Sequence, residues 1–254
     1  MRKALMLSLL SIVLGGCASE PAPRDISGIW INQAAIDEAA KGGGLLDALS
    51  SSGPTLEWSI DAKNAKATWR SSFERDEGTL VPDGSASWKV NFYGSENTDL
   101  KLEGSELIQS ATEFFPRQAF VRPAQSDVGE VSRGTNADLF KSVHFEQALK
   151  SAYLGGEWRV LSGAGQGAKV TFSPKGQVSG LPGINGYELC LGGDCATMSG
   201  GLDSLWLQQG EMGAAHIFVR KGRTLEIFEA VDVSAPDEMP QFYPGKREWA
   251  LEKL

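Results

Sequence analysis

Leu56-Glu57-Trp58-Ser59-Ile60, Ala67-Thr68-Trp69-Arg70 and Ala86-Ser87-Trp88-Lys89-Val90-Asn91-Phe92 alternate apolar with polar residues. A period of two puts one set of side chains on a core and the other in water, the pattern of a half-buried antiparallel strand. Leu56, Trp58 and Ile60 share one face, then Ala67, Trp69 and Phe73, then Ala86, Trp88, Val90 and Phe92, then Leu100 and Leu102, while Glu57, Arg70, Ser87 and Lys89 fall on the solvent side. Turns at Lys63-Asn64 and Pro82-Asp83-Gly84 separate the runs, and Ile29-Trp30-Ile31 reads as an earlier strand. A helix over residues 34–41 is stopped by Gly42-Gly43-Gly44. Thirty glycines and seven tryptophans fit a turn-rich β protein.

Residues 123–135 are polar and aperiodic, which sets a domain boundary there. A helix over about residues 137–151, with Leu139, Phe140, Val143 and Ala148 as its apolar stripe, ends at Gly155-Gly156. Strands follow near 170–172, 187–191, 205–207, 216–219, 225–228 and 249–251, with a glycine-rich hairpin at 163–169. The two halves look like divergent copies: Gly28-Ile29-Trp30 recurs as Gly156-Glu157-Trp158, and Phe114-Phe115-Pro116 as Phe242-Tyr243-Pro244, both 128 residues on. Each copy then finishes in a strand bearing Phe120 or Trp249. The fold expected is mainly β, two small antiparallel barrel-like or sandwich-like domains over 25–123 and 136–254, joined by a linker at 124–135, with short accessory helices.

The start of the chain carries a different pattern. Arg2 and Lys3 precede an apolar run from Ala4 to Leu14 that closes on Leu14-Gly15-Gly16-Cys17. This resembles the signal of bacterial lipoproteins, and the resemblance implies cleavage of residues 1–16, lipid on Cys17 and a tether over 17–24. The same residues also suit an ordinary cleaved signal or a short buried helix. The run falls short of the about 20 residues of a membrane-spanning helix, so the expected state is anchored. Ala18 after the lipid site, by the sorting rule of that family, implies the outer membrane, facing the periplasm.

Without residues 1–16 the chain keeps 22 basic and 32 acidic residues, a formal charge of −10. That balance repels phosphate backbones, so no nucleic-acid partner is expected. The acidity serves solubility or attracts a cationic partner. Cys190 and Cys195, the two cysteines beyond position 17, bracket Leu191-Gly192-Gly193-Asp194 and look like a disulfide across a hairpin, which the oxidising compartment implied by the lipobox would preserve. Two cysteines at this spacing fit neither a zinc site nor a C-x-x-C redox pair.

Leu154-Gly155-Gly156-Glu157-Trp158, Val170-Thr171-Phe172 and Gly176 to Tyr187 resemble the META/HslJ domain of bacterial envelope proteins, which opens on L-x-G-x-W and runs through G-x-V-x-G-x-x-G-C-N-x-Y. Ile184 stands at the cysteine of that signature, so the thiol of the family is missing. The likeness covers about one sixth of the chain, and G-x-W also opens lipocalin barrels. It implies a small β-domain and carries no catalytic residue across. Asn185 and Tyr187 are either binding-loop candidates or turn and strand anchors, and the turn residues Pro182, Gly183 and Gly186 favour the second role.

Catalytic patterns are sparse. His144 and His216 share no local motif, no G-x-S-x-G elbow or H-E-x-x-H occurs, and Gly163 to Lys169 lacks the Gly-Lys-Ser/Thr of a phosphate loop. No metal, cofactor or enzymatic activity is expected. Trp58 and Trp88 either fill a core or line a ligand cavity, core filling being the commoner use. The reading is a lipid-anchored envelope accessory protein that contacts a protein or peptidoglycan-associated partner. The alternatives are a lipocalin-like carrier of a small apolar ligand and an inhibitor of a cationic cell-wall hydrolase.

Overall fold

The computed structural model describes residues 22–94, 96–113, 115–124 and 143–254. The signal, Cys17, most of the tether and nearly all of the linker lie outside these residues, as does the start of the helix expected over 137–151.

The alternating strands build a first eight-stranded antiparallel meander: β1 (Gly28–Ile31), β2 (Glu57–Asp61), β3 (Lys66–Arg70), β4 (Arg75–Pro82), β5 (Ser87–Asn91), β6 (Thr98–Glu103), β7 (Glu106–Gln109) and β8 (Gln118–Phe120), each paired with the next. Just past β8, Val121 exchanges two backbone hydrogen bonds of 2.8 and 3.0 Å with Ile31 and brings the last strand back to the first. The second meander is β9 (Gly156–Ser162), β10 (Lys169–Phe172), β11 (Val178–Ser179), β12 (Gly186–Leu189), β13 (Ser204–Gln209), β14 (Met212–Lys221), β15 (Thr224–Asp232) and β16 (Phe242–Lys253). Here β16 pairs with both β15 and β9, and a bridge between Gln177 and Gly186 joins β11 to β12. Both sheets are thus nearly closed barrels, mainly β as the alternation predicts.

The two G-x-W openings occupy the same place in the two barrels. Gly28 and Gly156 start the first strand with φ of 116° and 102°, a region open to glycine. Two residues on, the indole of Trp30 donates to the carbonyl of Ile26 at 2.9 Å, and that of Trp158 to Leu154 at 2.8 Å. A cation from the far end of each barrel covers the ring, Arg122 at 4.3 Å from Trp30 and Lys253 at 5.7 Å from Trp158.

Among the described residues four α-helices accompany the strands: α1 (Gln33–Ala40), α2 (Leu45–Ser51), α3 (Val143–Tyr153) and α4 (Asp194–Met198). Asn32 starts α1 by accepting from the Ala35 amide, and its own amide group donates to the carbonyls of Ser52 and Thr55, so one buried residue ties both ends of the α1–α2 insertion together. Ala35, Ile36 and Ala39 of α1 and Leu45, Ala48 and Leu49 of α2 do not join the core of the barrel that carries them. They belong to one apolar cluster with Phe145, Leu149 and Tyr153 of α3 and with the interior of the second barrel. The first barrel keeps its own cluster, including Ile26, Trp30, Trp58, Trp88 and Phe92.

Several placements differ from the sequence reading. Residues 45–51 form α2, where no helix is expected, because two turns are too few to show a 3.6-residue period. Phe73 is 58% exposed in the β3–β4 turn and leaves the face of Ala67. Glu57, placed in solvent by the alternation, is 2% exposed. Its carboxylate accepts from the backbone amides of His144 and Phe145, both at 3.0 Å, at the start of α3, and lies 3.6 Å from the guanidinium of Arg70. A buried carboxylate with helix amides and a cation around it is stable; removed, it leaves those donors and Arg70 without partners in a dry seam. Glu57→Ala is therefore expected to lower unfolding stability by about 2–4 kcal/mol, read from urea denaturation midpoints; a loss below about 0.5 kcal/mol, typical of a surface site, would contradict this account.

Candidate functional site

The sequence-nominated residues fall into structural places. Trp58 is fully buried, its indole donating to Gln109 Oε1 at 3.1 Å and its ring 6.4 Å from Phe92. Trp88 is 2% exposed in the same cluster. Both fill the first barrel. Tyr187 is buried edge-on against Phe172, and its hydroxyl donates to the Ser173 carbonyl at 3.0 Å. Asn185 is exposed, and its backbone does the work: just ahead of β12, it donates to Gln208 of β13 and accepts from Val178 of β11. The segment from Gly176 to Tyr187 is a barrel seam.

Cys190 and Cys195 are bonded, with Cα atoms 5.9 Å apart. The bridge runs from just past β12 into the first turn of α4, not across a hairpin, because 194–198 are helical. The loop it closes supplies Leu191 and Gly192 to an apolar groove of about 330 Å³ shared with Phe73 and Phe115 of the first half. Opening the bridge is expected to cost about 2 kcal/mol in chain entropy, seen as a lower urea midpoint for the wild type under reductant and no reductant effect on a Cys190→Ser/Cys195→Ser double variant.

His216 and His144 are far apart in role. Both ring nitrogens of His216 are engaged, Nδ1 with the Ala214 carbonyl at 3.0 Å and Nε2 with Glu248 at 2.9 Å, which leaves neither to activate a hydroxyl. The His144 ring lies 3.7 Å from Glu57. Among the described residues no group of three or more His, Cys, Asp and Glu is placed to hold a metal.

A wide concave space lies between the barrels. A cleft of about 800 Å³ is bounded by residues 41–47 around the start of α2, by 201–203 ahead of β13 and by 217–221 of β14, with Phe228 and Pro244 on the outer wall. The glycine run makes its edge possible. The Gly222 amide donates to the Gly42 carbonyl at 2.9 Å, and a Cβ on Gly42 would sit 2.9 Å from Gly222 Cα, so only a bare backbone fits. Asp203 fixes the adjoining wall: its carboxylate accepts from the Leu45 amide at 2.7 Å and the Leu46 amide at 2.9 Å. Burial raises its pKa, against the lowering effect of those two bonds. The Tyr153 hydroxyl donates to the Gly43 carbonyl at 3.0 Å, and the Arg220 guanidinium stacks 4.6 Å from the Tyr153 ring centroid.

Sequence reasoning did not nominate Asp203 or Arg220. A signal existed for the second: alternation along His216-Ile217-Phe218-Val219-Arg220 puts a charged residue on the inward face of Phe218.

Tandem eight-stranded meander barrels, joined by helices and a charged apolar cleft, define the class of structure. No protein-family model, curated protein or solved structure matches the chain.

Burial pushes the Tyr153 and Tyr187 hydroxyls well above the usual phenol range, Tyr153 with a further push from Asp203. A folded-state pKa above the unfolded one of about 10 means that the stabilisation is complete below about pH 10 and is lost as pH rises beyond it. Stability is expected to fall as pH rises past about 10, and a Tyr187→Phe variant to lose less; equal losses in urea midpoint would refute the assignment for Tyr187.

Proposed function

We propose that the chain is a lipid-anchored envelope lipoprotein without catalytic activity, held at the outer membrane through Cys17 and working as a binding module on an envelope protein or peptidoglycan-associated partner. The observation that carries the binding mode is the filling of both barrels. Trp58, Trp88 and Phe92 in one and Trp158, Phe172, Tyr187 and Phe218 in the other leave recognition to the outside of the molecule and to the cleft between the barrels. This disfavours the lipocalin-like carrier. The lipobox-like start and the META/HslJ likeness of 154–191 support the envelope assignment from sequence.

The described N-terminal segment suits a short leash. Ile26 is buried in the first barrel and the Arg24 amide donates to the Ser85 carbonyl at 3.0 Å, so only about seven residues, roughly 20 Å of extended chain, separate Cys17 from folded protein. On this reading the β4–β5 turn of the first barrel faces the bilayer.

The test is in intact cells. A palmitate analogue is expected to label the wild type and not Cys17→Ser, and a photo-crosslinking residue at Lys221, on the cleft rim, to yield a discrete partner that the same residue at Lys101, on the first barrel, does not. Labelling of Cys17→Ser would remove the anchor; identical crosslinks at both positions would remove the cleft as the binding face.

A further inference from the structure

The cleft holds a buried cation that the fold does not neutralise. Arg220 is 6% exposed. Its Nε donates to the Gly222 carbonyl at 3.2 Å and its plane covers Tyr153, yet Nη1 is buried without a hydrogen-bond partner, and among the described residues no carboxylate lies within 4 Å of the guanidinium. Arginine stays charged at physiological pH, and a desolvated guanidinium with an empty donor is costly unless an anion completes it.

The nearby acid does not serve. Asp203 lines the same cleft, but both its oxygens are taken by the amides of Leu45 and Leu46. Further positive charge is close: Lys221 lines the cleft, and Lys253 is pushed down in pKa by burial and by the Arg220 charge. Lys41 and Asp47 also line it, and Leu46, Leu202, Ile217, Val219 and Phe228 are among its apolar residues.

The geometry points to a binding site for a small organic carboxylate: an apolar body against Leu46 and Leu202, and a carboxylate paired with Arg220. A carboxylate suits the site better than a phosphate dianion, because one guanidinium balances one charge and presents a fork that a carboxylate matches, while Asp203 and Asp47 beside it would repel a second charge. The inference goes beyond the envelope role and does not depend on the lipid anchor, so its failure leaves the palmitate result untouched.

The test is calorimetry on the full chain in dodecyl maltoside, with 2-naphthoate as probe and uncharged 2-naphthamide as its isostere. The wild type is expected to bind the carboxylate about tenfold or more tightly than the amide, the selectivity of a charge-assisted pair. Arg220→Gln should abolish that preference. Should Arg220→Gln fold poorly, Gly43→Leu serves: Gly43 lines the cleft, and a Cβ there meets nothing within 4 Å, so the new side chain fills the space without strain and should weaken both probes. Equal affinity of the wild type for both probes, no binding up to a few millimolar, or unchanged binding by Gly43→Leu would each overturn the proposal.

Discussion

Two carboxylates, the buried Glu57 and the half-buried Asp203, each rooted in one barrel and each capping a helix that comes from the other half of the chain, are the constraint on which the arrangement rests. Glu57 of β2 receives the first amides of α3, and Asp203, just ahead of β13, receives the first amides of α2. The first amides of a helix have no partner within it, and burying them unpaired costs more than a surface helix would. Each barrel thus depends on the other to satisfy polar groups that its neighbour's helix would leave bare, and the charges favour the helix dipoles as well. Apolar packing of α1, α2 and α3 supplies the non-directional attraction; the carboxylates set the register in which it occurs.

That exchange explains an asymmetry between two otherwise similar barrels. Both open on Gly-x-Trp with the same indole-to-carbonyl bond, both carry a cation over that tryptophan, and both bring the last strand back beside the first. They part at the connection after the first strand. In the second barrel residues 163–168 make a hairpin, whereas in the first the connection swells into α1 and α2. The inserted apolar faces lie in the larger cluster with the second barrel.

Strand existence was legible because period-two alternation follows directly from one-sided burial, as Trp88, Val90 and Phe92 illustrate. The same rule misled at Glu57 and Arg70: alternation identifies the outward face and is silent on what else covers that face. Strand lengths near the seam were also hidden. β16 runs over twelve residues from Phe242, through Pro244, where the aromatic mark seemed only to precede a short strand at Trp249. Its pairing with β15 carries irregular register, and bulges break the alternation that a reader of sequence follows. The cleft had least signal of all, since Gly42, Asp203 and Arg220 are separated by up to 178 residues and meet only through tertiary structure.

The position of that cleft follows from barrel geometry. An eight-stranded barrel has an interior just wide enough for side chains, and aromatic residues on alternating positions use it up. Concave space then comes from where two convex outer surfaces meet, and such a meeting leaves a wedge unless something fills it. Here α1, α2 and α3 fill one side of the wedge with alanine and leucine, and the glycine run at 42–44 keeps the other side thin. The side left open is the one where β14 delivers Arg220. A charge at an inward strand position is tolerated only where the core ends and some polar partner or solvent begins, so Arg220 marks the limit of the second barrel's core.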